Sequence, residues 1–242
     1  MNLIVDAGNT QVKLAVYDRN AMVDYRTTGM ENFASEIKNV FKQFPNIRYA
    51  MVSSVTCLDK TAMNVLCIFC KVFVLDHSFK MPFKNSYASP TTLGVDRMAL
   101  ATAAFYHNPN GNTLVIDAGT CITYDIVNDY GEYLGGAISP GLRMRYKALN
   151  QQTAKLPLLE PVDMVGFIGN TTDSCIHSGV VNGMCHEIDG IITQYRERFS
   201  YLTVILTGGD GQFLSKRLKN TIFAHSKFLL EGLNYLLEYN KR

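Results

Sequence analysis

The feature that most constrains this chain is a phrase it uses twice. NLIVDAGNTQVK starts at residue 2, and TLVIDAGTCITY starts at residue 113. In each, an apolar run ends in Asp, turns at Ala-Gly, passes a Thr and becomes strand-like again. Apolar runs of this length bounded by Gly read as buried strands, and the return reads as the second arm of a hairpin. An Asp at the exit of a strand sets a carboxylate beside the N–H groups of the turn. Such N–H groups bind anions, phosphate above all, and Gly lets the backbone come close to the ligand. The carboxylate would repel phosphate but can hold the cation a phosphate brings, most often Mg²⁺. Lys13, on the returning strand of the first copy, can offset phosphate charge. One such turn is also simply a hairpin with an Asp in it. Two copies, each opening a run of strands, point to paired phosphate-binding hairpins.

The rest of the chain repeats with the phrase. Strands are expected over 2–6, 11–17 and 21–28, a helix near 31–43, a strand over 48–55, a helix over 59–70 and a strand over 72–75. A loop over 76–93 leads to an Ala-rich helix over 96–106. HNPNGN at 107–112 is the strongest linker signal. Strands over 114–119, 122–127 and 132–139 follow, then a helix near 141–152. Ile176, Val180, Met184, Ile188, Ile192 and Tyr195 predict one long helix over 173–199. A buried strand over 201–209 and a helix over 226–239 end the pattern. The expectation is an α/β chain of two similar domains, 1–110 and 111–242, with a ligand cleft between them.

With 242 residues, 47% hydrophobic and 18% charged, the chain can bury a core in each half. A formal charge of +2, with Lys and Arg scattered, does not favour nucleic acid as a partner. No stretch is apolar for long enough to span a membrane, and the strand-like start with Asp6 is no signal peptide. Six cysteines then read as reduced thiols of a cytoplasmic protein, Cys67 and Cys70 being buried as small hydrophobes. The five histidines (His77, His107, His177, His186, His225) show no ligand spacing, and Tyr146, Tyr195 and Tyr201 read as core. There is no G-x-x-x-x-G-K-[ST] phosphate loop and no G-x-S-x-G elbow. Gly136 to Gly141 reads as a hairpin turn leading into a helix, and TGGDG (207–211) as a Gly turn whose flat surface could admit an adenine ring.

Taken in order, D-x-G-N-T, G-V-D-R (94–97), D-x-G-T, GGAISPG (135–141), TAKLP (153–157), N-T-T and T-G-G-D resemble the acetate and sugar kinase and actin superfamily. Within it the chain is similar to type III pantothenate kinases over essentially its whole length. The resemblance implies two ribonuclease-H-like domains and a kinase that phosphorylates the primary hydroxyl of pantothenate with ATP, the first step of coenzyme A synthesis. It implies that Asp6, Ala7, Gly8, Asn9, Thr10, Gln11, Val12 and Lys13 cradle the ATP phosphates, with Asp6 organising Mg²⁺. Asp96 would be the general base, and Gly94, Val95, Asp96 and Arg97 would line the pantothenate pocket, Arg97 facing the substrate carboxylate. Tyr87 and Thr172 would contact substrate, Thr120 would contact ATP, and Asp117 would hold a monovalent cation, K⁺ or NH₄⁺. The family works as a homodimer with Thr172 near the subunit interface. Two other readings share the fold: a kinase of another small hydroxylated metabolite, and a non-catalytic regulatory relative. Intact Asp6, Asp96 and Asp117 argue against the latter. Independently of the resemblance, an Asp in the first turn of a helix is favourable by itself, and an Asp within reach of a hydroxyl can take its proton.

Overall fold

In a computed structural model, the structure describes residues 1–8, 11–54, 58, 60–163 and 166–241. Strands β1 (Asn2–Ala7), β2 (Val12–Asp18) and β3 (Ala21–Thr28) precede helix α1 (Phe33–Gln43). Then come β4 (Tyr49–Ser54), α2 (Lys60–Phe69), β5 (Lys71–Val74), the short β6 (Lys84–Asn85) and α3 (Val95–His107). The second series is β7 (Thr113–Ala118), β8 (Cys121–Val127), β9 (Glu132–Pro140) and α4 (Leu142–Gln151). It continues with α5 (Thr172–His177), a π-helical turn (Ser178–Asn182), α6 (Gly183–Arg198), β10 (Thr203–Thr207), α7 (Gly211–Ser215), β11 (Phe223–Ala224) and α8 (Phe228–Asn240). These elements form two compact units. One comprises Met1–Lys84, Ala88–Tyr106 and Phe228–Arg242, the other Asn85–Tyr87 and His107–Lys227.

The first unit is built on a sheet of order β3-β2-β1-β4-β5. β1 pairs antiparallel with β2 and parallel with β4, so it is buried along its whole length. Because side chains alternate across a strand, Leu3, Val5 and Ala7 face one way. They pack with Phe33, Ile37 and Val40 of α1 and Leu66 of α2. Ile4, Ala15, Tyr17 and Met51 face the other way, against Ala99 of α3 and Leu230, Leu233, Leu236 and Leu237 of α8. α8 is also latched by polar bonds. Asn2 Nδ2 donates to Asn234 Oδ1 at 2.8 Å and to Glu238 Oε1 at 2.7 Å. Asn234 in turn donates to the carbonyl of Arg19, which turns the β2–β3 connection at φ 55°. Gly232 makes the crossing possible, since a Cβ there would lie 1.9 Å from the Ala99 carbonyl oxygen.

The second unit repeats the plan on a sheet of order β11-β10-β7-β8-β9-β6. β7, β8 and β9 form an antiparallel meander, and β7 pairs parallel with β10, as β1 does with β4. Leu114, Ile116, Tyr124 and Leu206 from the sheet pack against Tyr146 of α4 and Ile188 and Ile192 of α6.

The expected strands and helices form within a residue or two of their predicted ends. The mixed α/β architecture on two sheets is as read, but the last helix, assigned by sequence to the second half, belongs to the first unit. The expected long helix carries a π-helical turn. Its apolar residues recur every fourth position, which on a 3.6-residue helix drifts steadily around the surface. One wide turn resets that drift, and Ile176, Val180, Met184, Ile188 and Ile192 all reach the same core. Gly136 to Pro140 is strand rather than hairpin turn. Its backbone pairs with β8 so closely that a Cβ at Gly136 would sit 1.6 Å from the Tyr124 carbonyl oxygen. α7 and β11, of five and two residues, are too short to leave a period in the sequence. Cys67 is exposed rather than buried, since it lies on the outer side of α2, and Tyr201 is fully exposed in a left-handed turn at φ 53°. Among the described residues, no helix is long and apolar enough to cross a membrane.

Candidate active site

The first Asp-Ala-Gly turn sorts its residues by strand alternation. Asp6 leaves β1 on the α3/α8 face and is only 6% exposed. Lys13 is its register partner on β2, and Lys13 Nζ lies 3.1 Å from Asp6 Oδ2. Ala7 and Val12 point the other way into the α1/α2 core, so only their backbone can serve a ligand. Gly8 N–H donates to the Gln11 carbonyl at 3.1 Å and closes the turn; Gln11 is exposed. Asn9 and Thr10 lie outside the described residues. On the other side of β1, the register partner of Asp6 is Ser53 of β4, a residue the sequence reading passed over.

Asp96 sits in the first turn of α3, half-buried, in the same unit as Asp6. Its Oδ1 accepts the N–H of Arg97 at 2.8 Å. Gly94 is what allows this posture, because a Cβ there would lie 2.4 Å from Asp96 Oδ1. The approach to the helix is pinned by His77, whose Nε2 is 2.8 Å from the Leu93 carbonyl oxygen. Val95 packs partly into the α8-side core, and Arg97 is 5% exposed.

In the second unit Asp117 is the last residue but one of β7, half-buried, with Thr123 and Thr207 as its register partners. Two glycines close in on this turn. Gly208 adopts φ +91°, and a Cβ there would meet both Asp117 Oδ1 and the Ala118 carbonyl oxygen at 2.4 Å. Gly141 caps α4 and donates its N–H to the Thr120 carbonyl at 3.2 Å, while a Cβ on it would lie 2.3 Å from that oxygen. Thr120 itself is exposed. Beside this turn, Leu142, Arg143, Gly209, Asp210 and Phe213 line a cavity of about 470 Å³, so the TGGDG turn does border an open recess.

Tyr87 also belongs to the second unit. Ser86 N–H donates to the Tyr133 carbonyl at 2.9 Å, which fixes the segment on the sheet edge. The Tyr87 ring lies over Gly135, where φ is +100° and a Cβ would be 3.1 Å from the ring. It also packs at 6.1 Å, centroid to centroid, against Tyr133. Tyr133 Oη donates to the fully buried carboxylate of Asp125 at 2.8 Å, and Thr123 Oγ1 donates to the other oxygen at 3.0 Å. Thr172 opens α5 behind a capping box formed by Thr171 and Ser174. It lines a separate cavity of about 830 Å³ with Leu149, Leu156, Gly169 and Cys175, which none of the other predicted site residues lines. The carboxyl of Glu187 holds the end of β9 to α6. Burial would raise its pKa, but Arg145 at 2.6 Å, Ser139 and Tyr124 hold it below the ordinary glutamate range.

Residues 2–194 match the family model of type III pantothenate kinase. A type III pantothenate kinase of Christiangramia forsetii is 49% identical over 241 residues, covering 100% of this chain and 99% of the relative. One from Flavobacterium johnsoniae is 48% identical over 239 residues, with 99% and 98% covered. Among solved structures, a Campylobacter jejuni protein described as of the Baf transcriptional-activator family superposes with a TM-score of 0.65 at 21% identity, with 98% of each chain covered. A ROK-family protein of Streptococcus pneumoniae reaches 0.51 at 12% identity over 98% of each chain. At those identities the likeness is one of fold alone. Near-half identity along the full length says more, and by it this chain belongs to the type III pantothenate kinase family.

Proposed function

We propose that this chain transfers the γ-phosphoryl group of ATP to the primary hydroxyl of pantothenate, giving 4′-phosphopantothenate at the start of coenzyme A biosynthesis. The observation that carries the reading is the full-length likeness to type III pantothenate kinases. The side chains supply what the chemistry needs, which is positioning and charge neutralisation. Asp96, fixed in the first turn of α3, takes the proton of the attacking hydroxyl. The hydroxyl oxygen bonds to the γ-phosphorus as the bond to the β–γ bridging oxygen breaks, and ADP leaves.

Magnesium, when bound, neutralises and orients the β- and γ-phosphates. A site of one carboxylate suits it, since this ion keeps several waters and takes its remaining ligands from phosphate. Asp6 would be that carboxylate, and Lys13 beside it faces the same phosphates. Asp117 would hold a monovalent cation, K⁺ or NH₄⁺. The fit is supported by Gly208, which leaves open the space beside Asp117 Oδ1 that any Cβ would fill. Thr120 and the recess at Gly209 would serve the nucleotide. Tyr87 and Gly94 to Arg97 would serve pantothenate. We place the enzyme in the cytoplasm as a homodimer, with Thr172 serving the neighbouring subunit's substrate. Supporting the dimer are Phe167 and Ile168, 78% and 84% exposed just before α5.

The test is ATP-dependent phosphorylation of pantothenate with potassium, ammonium or sodium as the only monovalent cation. Turnover is expected with potassium or ammonium. Asp96→Asn is expected to lower kcat by about 10²–10⁴-fold with ATP binding retained. If the wild type consumes no ATP with pantothenate, the substrate is wrong; if Asp96→Asn turns over normally, the base is wrong.

A further inference from the structure

Among the described residues beside Asp6, Ser53 stands out as one whose hydroxyl the fold does not explain. β4 runs parallel to β1 with Ser53 opposite Asp6, so both side chains leave the sheet on the same face. Lys13 is opposite Asp6 on the other side, which makes a row of Lys13, Asp6 and Ser53 across three strands at their ends. Ser53 is 1% exposed, and its hydroxyl has no hydrogen-bond partner among the described residues. A buried hydroxyl left without a partner destabilises a protein, and alanine would fill the same place without that penalty. The buried hydroxyl of Thr102, by contrast, is satisfied: its Oγ1 donates to the Met98 carbonyl at 2.9 Å. Tyr17 also carries an unpartnered hydroxyl, but it lies opposite Asn2 at the far end of β1.

Neighbouring strands are about 4.8 Å apart, so an oxyanion held beside the Asp6 carboxylate lies within reach of a serine on the next strand. We propose that Ser53 is a further nucleotide-binding residue: its hydroxyl donates a hydrogen bond to a phosphate oxygen of the magnesium-bound ATP that Asp6 and Lys13 hold. This rests on the kinase reading above. The hydroxyl is kept at a cost in stability because the phosphate completes it.

The experiment is calorimetric titration of Mg·ATP into wild type, Ser53→Ala and Ser53→Cys, with thermal unfolding of each nucleotide-free protein. Both variants are expected to bind about tenfold more weakly, as for a lost bond to a charged acceptor. Their unfolding midpoints should equal or exceed that of the wild type. Unchanged affinity overturns the inference. So does an affinity loss that appears only together with a lowered midpoint in both variants, the mark of a structural hydroxyl. A wild type that binds no Mg·ATP would overturn the kinase reading itself, and the inference with it.

Discussion

At the scale of single residues, two glycines of the TGGDG turn ought to behave oppositely. Gly208 holds φ +91°, which L side chains rarely adopt. A methyl there would also meet the Ala118 backbone oxygen at 2.4 Å, and that oxygen belongs to a central strand and cannot swing aside. Gly208→Ala is therefore expected to cost about 1–3 kcal/mol from backbone strain alone, more with the overlap. Gly209 has nothing within 4 Å of the place a Cβ would occupy. Gly209→Ala should leave the unfolding midpoint within a degree or so of the wild type, since a surface change away from special features is nearly neutral. Parallel thermal melts check the pair; equal losses would show that the turn is not held as described. The sequence displayed Gly-Gly but not which of the two was needed, because that depends on β7 lying parallel beside β10.

At the scale of elements, the β9 strand connects Tyr87, proposed above to contact pantothenate, to the core. Tyr87 rests on Gly135, while Tyr133 beside it is tied to buried Asp125. Gly135→Ala would bring a methyl to 3.1 Å from the Tyr87 ring at a φ that disfavours alanine, and so tilt the ring. The expected result is a raised KM for pantothenate with KM for ATP unchanged, read from steady-state kinetics. The same strand's end supplies a pH dependence. Glu187 has its folded pKa depressed, so the stability it contributes is present above the ordinary glutamate range. It is lost as the pH falls through the lower folded value. Glu187→Gln should flatten the acid limb of a stability–pH curve, and an unaltered limb would mean the Arg145 bridge is not formed in solution. Little of this was legible in the sequence. GGAISPG showed its glycines, which suggested a turn, whereas they serve close strand pairing and a seat for a ring brought from fifty residues upstream. The meanders, by contrast, were legible because alternation and Gly punctuation are local signals.

At the scale of the whole molecule, the chain forms two units of similar strand plan that are not consecutive halves. Period and turn signals displayed both meanders and every helix longer than a turn or two, and from the linker at 107–112 they suggested a boundary near residue 110. They could not assign the last helix, since an apolar stripe does not name the surface it covers. In the structure Leu230, Leu233, Leu236 and Leu237 of α8 complete the core around Ile4 and Met51, at the opposite end of the chain. Burying each such leucine contributes about 1.5–3 kcal/mol. Four of them therefore match the net stability of an ordinary domain, about 5–15 kcal/mol. A fragment ending at residue 110 should for this reason lack a cooperative thermal transition and bind a hydrophobic dye, with Ile4, Ala15 and Met51 uncovered. Joining residues 226–242 to it through a flexible linker should restore a sigmoidal melt. Within the joined fragment, Asn234→Ala should reduce the gain, because Asn2 would keep Glu238 but lose Asn234 as acceptor, and the Arg19 carbonyl would lose the Asn234 donor. A fragment 1–110 that melted cooperatively on its own would show that the first unit does not need α8, and the sequence boundary would then describe the folding unit better than the contacts do.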